Sequence, residues 1–315
     1  MTAPCGCGWE ALRGDPLPWL LDERQPNLHW RVLTELVGRP RNSPAVRRAQ
    51  GGASAAEPAA SLLADLLPDG SWNTGTSPWH RYSGPVWRLI AAVAWGADPS
   101  DPRLRRAAEL FLDSVPGDGG VAPRPGAPPS AIATARLAQA VARIGFGSHL
   151  RVQEALAWFD EDPRAWLGSE HTRLTAAVAL LEALASAGEL RRERLVARAV
   201  TEILGDGRSS RRSQRVFGHP NFARTDVSEA LWALARAGVP YESRMKEPLV
   251  LLQSAQVGDG RWPVRRSVPS SLPVDAGSRA RAGDPSPWIT LQAVVAMNGY
   301  AVDAHLPRLF PERPQ

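Results

Sequence analysis

The stretch LLPDGSWNTG, residues 66–75, sets the turn pair Asp69-Gly70 just ahead of a large apolar residue, Trp72. It recurs. SVPGDGGVAP stands at 114–123 and SAQVGDGRWPV at 254–264, with weaker copies FDEDPRAWLG at 159–168 and ILGDGRSSRR at 203–212. The aspartates at 69, 118, 162, 206 and 259 lie 49, 44, 44 and 53 residues apart. Self-similarity at a period of about 20 to 50 residues marks a repeat architecture.

Between the turns the pattern is helical. Six segments end on a glycine where the apolar periodicity stops: NLHWRVLTELVG (Gly38), PVWRLIAAVAWG (Gly96), AIATARLAQAVARIG (Gly145), RLTAAVALLEALASAG (Gly188), DVSEALWALARAG (Gly238) and WITLQAVVAMNG (Gly299). Glycine in that place supplies the left-handed residue that closes a helix. Ala, Leu and Val cover most of the circumference, as interior helices require. Each glycine leads into a second helix with one charged face and one apolar stripe: DPRLRRAAELFLDSV (101–115), LRVQEALAWFDE (150–161), LRRERLVARAVTEIL (190–204) and SRMKEPLVLLQSA (243–255). These belong in an outer layer.

The unit is thus an apolar helix, a glycine turn, an amphipathic helix and an Asp-Gly turn leading back. In that turn the Asp side chain bonds nearby backbone N–H groups and Gly accepts positive φ. Trp72 and Trp262 are expected to cover the end of the preceding outer helix, Trp166 in a shifted register, with Val121 replacing the aromatic in the second copy. Such pairs stack openly or close into a double-layered ring. The first and last apolar segments are as apolar as the middle ones and no polar capping repeat stands at either end, so closure is expected. The expectation is one all-α domain, an (α/α)6 toroid over 17–310, behind a flexible tail at 1–16. Residues 267–287, rich in Pro, Ser, Gly and Arg without periodicity, read as a lid or a disordered loop.

Composition narrows the partners. The net charge is +5, with the basic residues nearly all arginine and Lys246 the one lysine. The arginines are spread along the chain rather than gathered in a basic stripe, which argues against nucleic acid. No run reaches the roughly 18 apolar residues of a membrane span, leaving peripheral membrane contact open. MTAPCGCGWE is no signal peptide, and the cytoplasm is the default. Cys5 and Cys7 are a poor basis for a disulfide framework and a weak metal pair, so no cofactor or metal is expected. Oligomeric state is not set by the sequence.

LLPDGSW (66–72) and LLQSAQVGDGRW (251–262) resemble the repeat shared by squalene and oxidosqualene cyclases and protein prenyltransferase β-subunits. In that family a Gln and an Asp-Gly-x-Trp turn tie the outer helices of an (α/α)6 toroid; Gln253 or Gln256 is placed to be that Gln. The wider layout, in PWLLDERQPNLHWRVLTELVGRP (18–40), FGHPNFARTDVSEALWALARAGV (217–239) and PSPWITLQAVVAM (285–297), resembles bacterial proteins carrying the prenyltransferase/squalene-oxidase repeat. The resemblance spans about residues 17–300 and implies a central cavity for an isoprenoid or similar apolar small molecule. The family's Asp-x-Asp-Asp acid has its nearest string in Asp160-Glu161-Asp162, in an inter-repeat turn where solvent keeps carboxylates ionised. Its zinc site is missing, because both cysteines lie in the tail. The alternatives are a non-catalytic ligand-binding or interaction module on the same ring, and a carbohydrate-active ring, which would show an open cleft with paired carboxylates.

In such a ring the loops entering the inner helices surround one mouth of the cavity, and helix N-termini suit an anionic group such as a diphosphate. Ahead of the second apolar segment, Trp79, His80, Arg81 and Tyr82 offer π faces and a phosphate-binding arginine, or simple loop packing. At 168–173, Ser169 is an N-cap candidate, while Glu170, His171 and Arg173 read as an acid/base pair with an anion contact or as capping and surface charge. His219, Asn221, Phe222, Arg224 and Asp226 lead into the fifth segment, with Glu229 one turn further in. Asp226 or Thr225 caps that helix, or Asp226 faces the cavity as a general acid whose pKa burial has raised. Trp288, opening the last segment, completes the set.

Overall fold

Helix forms where the apolar residues either encircle a segment or stripe one side of it. The computed structural model describes residues 13–22, 25–205, 215–272 and 280–300. Among these residues the chain is all-helical: α1 (Leu17–Leu20), α2 (Pro26–Glu35), α3 (Pro44–Ala55), α4 (Ala59–Ala64), α5 (Pro85–Ala94), α6 (Pro102–Asp113), α7 (Ala131–Val141), α8 (Leu150–Glu161), α9 (Glu170–Ala187), α10 (Glu193–Leu204), α11 (Val227–Arg236), α12 (Lys246–Ser254) and α13 (Pro287–Tyr300). No strand forms among them, only the isolated bridges Leu66–Trp72 and Pro263–Pro285. Cys5, Cys7, the Asp206 turn, positions 273–279 of the expected lid and everything after Tyr300 lie outside the described residues.

The two helix characters separate as their composition requires. In α9 every side chain from Leu174 to Leu184 is buried, and α7 is buried along most of its length. In α6 and α10 burial is confined to one stripe, Leu104, Ala107, Ala108 and Leu112 in the first and Leu195, Ala199, Val200, Ile203 and Leu204 in the second. The apolar helices are packed on one another: α7 on α5 and α9, α9 on α11, α11 on α13, and α13 on α2. Between α2 and α5 stand two further helices, α3 of 12 residues and α4 of 6, which the sequence pattern does not mark because Gly51, Gly52 and Pro58 interrupt it.

The Asp-Gly turns act as staples. Asp69 Oδ1 accepts from the Ser71 N–H at 2.9 Å and from its hydroxyl at 2.7 Å. Gly70 has φ +84°, and a Cβ there would stand 2.4 Å from the backbone nitrogen of Ala107 in α6, so only glycine lets the turn rest on that helix. The Trp72 indole then donates to the Leu62 carbonyl at 2.8 Å, near the end of α4. Trp262 does the same to Leu252 in α12 at 2.7 Å, and Trp166, in its shifted register, to Phe159 in α8 at 2.8 Å. Each indole bonds a carbonyl near a helix end, where intrahelical partners run out; the Leu252 carbonyl also accepts from Ala255 N–H at 3.2 Å. The turn backbone is tied forward as well: the N–H of Val121 bonds Thr134 Oγ1 in α7, and that of Trp262 bonds Thr290 Oγ1 in α13. Gln256 is the side chain that links its turn to the chain start, donating to the carbonyls of Gly260 and Gly14 and accepting from Arg13 N–H.

Five of the six closing glycines, 38, 96, 145, 188 and 238, have positive φ. Gly299 does not: α13 runs on to Tyr300, and Gly299 instead lets α13 approach α11, where an added Cβ would lie 3.1 Å from the Ala235 methyl.

Candidate functional site

The residues singled out around the starts of the apolar helices come together, but as a packed cluster. The ring of Tyr82 lies 5.4 Å from that of Trp87 and 5.1 Å from Phe222; Trp87 meets Trp79 and Phe222 edge-on, each at 5.6 Å. Four aromatics from the 79–87 and 217–226 segments thus fill the space where a mouth was expected. His171 Nε2 contacts the Ala223 carbonyl at 3.1 Å, and Ser271 Oγ donates to the Arg81 carbonyl, drawing α9 and the described part of 267–287 to the same end.

The polar members of that set face elsewhere. His80 is exposed and bonds Ser83 through Nδ1, and Arg81 is exposed over its neighbour Tyr82. Ser169 caps α9 by accepting from Thr172 N–H. Glu170 is exposed, and Arg173 bridges Glu202 of α10 and the Gly168 carbonyl. Arg224 is exposed. Asp162 is held at a pKa of about 2 by side-chain and backbone hydrogen bonds from Arg164, so it stays ionised in its turn.

Asp226 is fully buried and caps α11, accepting from Ser228 and Glu229 N–H. Its other oxygen accepts from Gly218 N–H at 2.9 Å and Asn221 Nδ2 at 3.2 Å, and Arg266 donates in turn to Asn221. Burial raises its pKa, against the Ser228 hydrogen bond and the charge of Arg266. Glu229 is bidentate with Arg136, at 3.0 and 3.3 Å, and Thr225 donates to it at 2.9 Å. Arg136 also donates to Gln139 and to the Phe222 carbonyl, which anchors the aromatic cluster.

The open cavity lies at the other end of the apolar helices. Glu35 and Arg236 are the last residues of α2 and α11, Val93 is near the end of α5, and Arg143 to Gly145 follow α7. With Arg31 of α2 and Asn42, Arg47 and Gln50 around α3, they enclose about 420 Å³. Five arginines line it, Arg31, Arg41, Arg47, Arg143 and Arg236, against two carboxylates, Glu35 and Asp98. Cations beside helix C-termini are favoured by the helix dipole, which explains arginine here in part. It does not explain their convergence on one ring.

That ring is Trp232. The guanidinium carbons of Arg31, Arg236 and Arg143 stand 4.5, 4.8 and 5.7 Å from its centroid. Its indole N–H donates to Glu35 at 2.8 Å, and Arg31 pairs with Glu35 at 2.7 Å. Glu182, wholly buried, receives Arg143 at 2.5 Å and Arg236 at 2.6 Å on the same oxygen, leaving Oε1 without a partner among the described residues. Three guanidinium groups therefore share two carboxylates. Burial, with repulsion from Arg143 and Arg236, lowers Arg31 to a pKa of about 10. Burial alone would raise Glu35, but Arg31, Arg236 and the Trp232 hydrogen bond outweigh it and leave that pKa lowered. At the rim, neither Arg41 nor Arg47 makes an ion pair with the described residues.

A second, smaller space of about 30 Å³ continues inward, sharing Arg31, Val93 and Arg143 with the first. His219, Asn221, Glu229, Arg136, Gln139 and Gln292 are among its walls. The His219 ring stacks on Trp288 at 4.4 Å with 9° between planes. Its pKa lies well below 6.5 because burial and the charges of Arg31 and Arg143 disfavour a second proton, so the imidazole is neutral.

Sequence reasoning named His219, Asn221, Glu229 and Trp288 but missed Arg31, Glu35, Arg143, Glu182, Trp232 and Arg236. Their signal was a charge inside an otherwise apolar helix segment, which a buried site must pair. Among the described residues no group of three His, Cys, Asp or Glu side chains could hold a metal, and no helix is long and apolar enough to cross a membrane. No protein-family model matches the chain, and no curated protein matches it significantly.

Proposed function

We propose that the protein binds a small anionic molecule with an apolar portion in the arginine-lined cavity, on an (α/α)6 toroid like that of terpenoid cyclases and prenyltransferases. The observation that carries the reading is the surplus of guanidinium groups in a space of about 420 Å³. Guanidinium forks match phosphate and carboxylate oxygens, and partial burial strengthens such bonds. The volume falls at the small end of ligand pockets, roughly 300 to 1,000 Å³. Combined with the repeat resemblance, it favours a short prenyl diphosphate over a triterpene-sized substrate. Closure of six helix pairs is supported by the return of α13 onto α2 and by the repeated indole staples.

A binding role without protonation-initiated cyclisation is favoured by one further observation. Glu35, which lines the cavity beside three arginines, is held ionised and has no proton to give to an alkene. The test is a thermal-shift and calorimetric series with geranyl diphosphate, inorganic pyrophosphate, squalene and an oligosaccharide. Geranyl diphosphate should raise the melting temperature most, because a ligand of the folded state stabilises it by mass action. Removing the unpaired rim charges in Arg41→Ala/Arg47→Ala should weaken it by about a hundredfold or more, since charge-assisted bonds contribute roughly 1.5 to 3 kcal/mol each. A shift with squalene or the sugar, and none with either diphosphate, would overturn the reading.

A further inference from the structure

The inner space is a separate feature from the arginine cluster. Its volume of about 30 Å³ suits one water or one hydroxyl, not a phosphate. Most of its polar walls are satisfied within the protein. Arg136 and Glu229 pair with each other, Gln139 accepts from Arg136, and the Gln292 amide lies 3.1 Å from the Ser228 hydroxyl oxygen. Asn221 is held between Arg266 and Asp226. Among the described residues, one side-chain atom of these wall residues is buried without a hydrogen-bond partner, His219 Nε2. A neutral imidazole has one acceptor nitrogen, and an unpaired buried polar atom costs roughly 1 to 3 kcal/mol. The charged groups around it are Arg31, Arg136, Arg143 and Glu229. Arg31 and Arg143 line both spaces and so favour an anion at their junction, and His219 lines the inner one.

We infer that His219 is a specificity-determining residue of this site, its Nε2 accepting a hydrogen bond from a hydroxyl carried beside the ligand's anionic group. The ligand class narrows to oxyanions that present an O–H donor, a monoprotonated terminal phosphate of a diphosphate among them, and this narrowing rests on the anion-site reading above. Arg31 and Arg143 hold the charge at the junction; the hydroxyl enters the inner space. An anion of equal charge and size that lacks a donor leaves Nε2 unpaired and binds less well.

Hydrogenphosphate and sulfate make the comparison directly. At mildly alkaline pH both are dianions of nearly the same shape, and only the first carries a hydroxyl. Calorimetry at matched ionic strength should show the wild type favouring hydrogenphosphate by about tenfold. His219→Phe should erase that preference while leaving sulfate affinity unchanged, and His219→Gln, which keeps an acceptor, should retain part of it. In wild type labelled with ¹⁵N-histidine, hydrogenphosphate should move the His219 Nε2 resonance and sulfate should not, a reading that needs no variant to fold. Equal affinities for the two anions, or a preference that survives in His219→Phe, overturns the inference and leaves the anion site standing. Binding of neither anion overturns both.

Discussion

At Asp226 five donors converge on one carboxylate, from Gly218, Asn221, Glu229 and twice from Ser228. That saturation makes it a structural group, and it was ambiguous in the sequence because a cap and a cavity acid occupy the same position ahead of a helix. Asp226→Asn would turn an amide NH₂ toward one set of donors and should destabilise the fold by about 1 to 3 kcal/mol in urea unfolding. Ligand affinity should stay unchanged; a loss of affinity without a loss of stability would return Asp226 to the site. Two of the perturbed groups, Asp226 and His219, act oppositely with pH. Asp226 has a raised pKa, so its contribution to stability is present below 3.8 and is lost as pH rises through the folded value. His219 has a lowered pKa, so its contribution is present above 6.5 and is lost as pH falls toward the folded value. The His219 share of the unfolding free energy should therefore be lost as pH falls below 6.5, read as the difference in pH dependence between wild type and His219→Phe.

The helices were legible because their periodicities differ in kind: an apolar circumference in α7, α9 and α13, a stripe in α6 and α10. The staples were legible too, since Asp-Gly before Trp has a local physical meaning wherever it stands. What the pattern hid was α3 and α4, where glycines and a proline dilute the apolar signal, and the continuation of α13 through Gly299. In that last case the glycine serves contact with α11 rather than a turn, and a single sequence does not separate the two uses. The staple itself is testable. Trp72→Phe keeps the apolar bulk but loses the bond to Leu62, and should cost about 1 kcal/mol in chemical unfolding. Gly70→Ala should cost more, because the added methyl meets the α6 backbone and the residue must keep φ near +84°. If Gly70→Ala proved the milder of the two, the turn would not be pressed against α6.

Across the whole molecule, the site was harder to foresee than the fold. Helix N-termini suggested where an anion would sit, yet Trp79, Tyr82, Trp87 and Phe222 occupy that end and the cavity opens among the C-terminal ends. The deciding residues come from three separate segments, Arg31 and Glu35, Arg143, and Arg236 with Trp232, with Glu182 from a fourth. Their convergence depends on tertiary packing that spacing along one chain does not reveal. This cluster should contribute to stability as a unit. Glu182→Ala leaves Arg143 and Arg236 buried without their carboxylate and should cost about 3 to 5 kcal/mol, as removal of one partner from a buried pair does. Saturating pyrophosphate should restore part of that loss in a thermal melt, because an added anion replaces the missing charge; no recovery would show that the ligand does not reach these arginines.

The aromatic stopper has a kinetic corollary. With aromatics filling that end, a ligand bound as proposed would enter and leave among the C-terminal helix ends. A bulky anion at the rim should then slow the release of a smaller one held deeper.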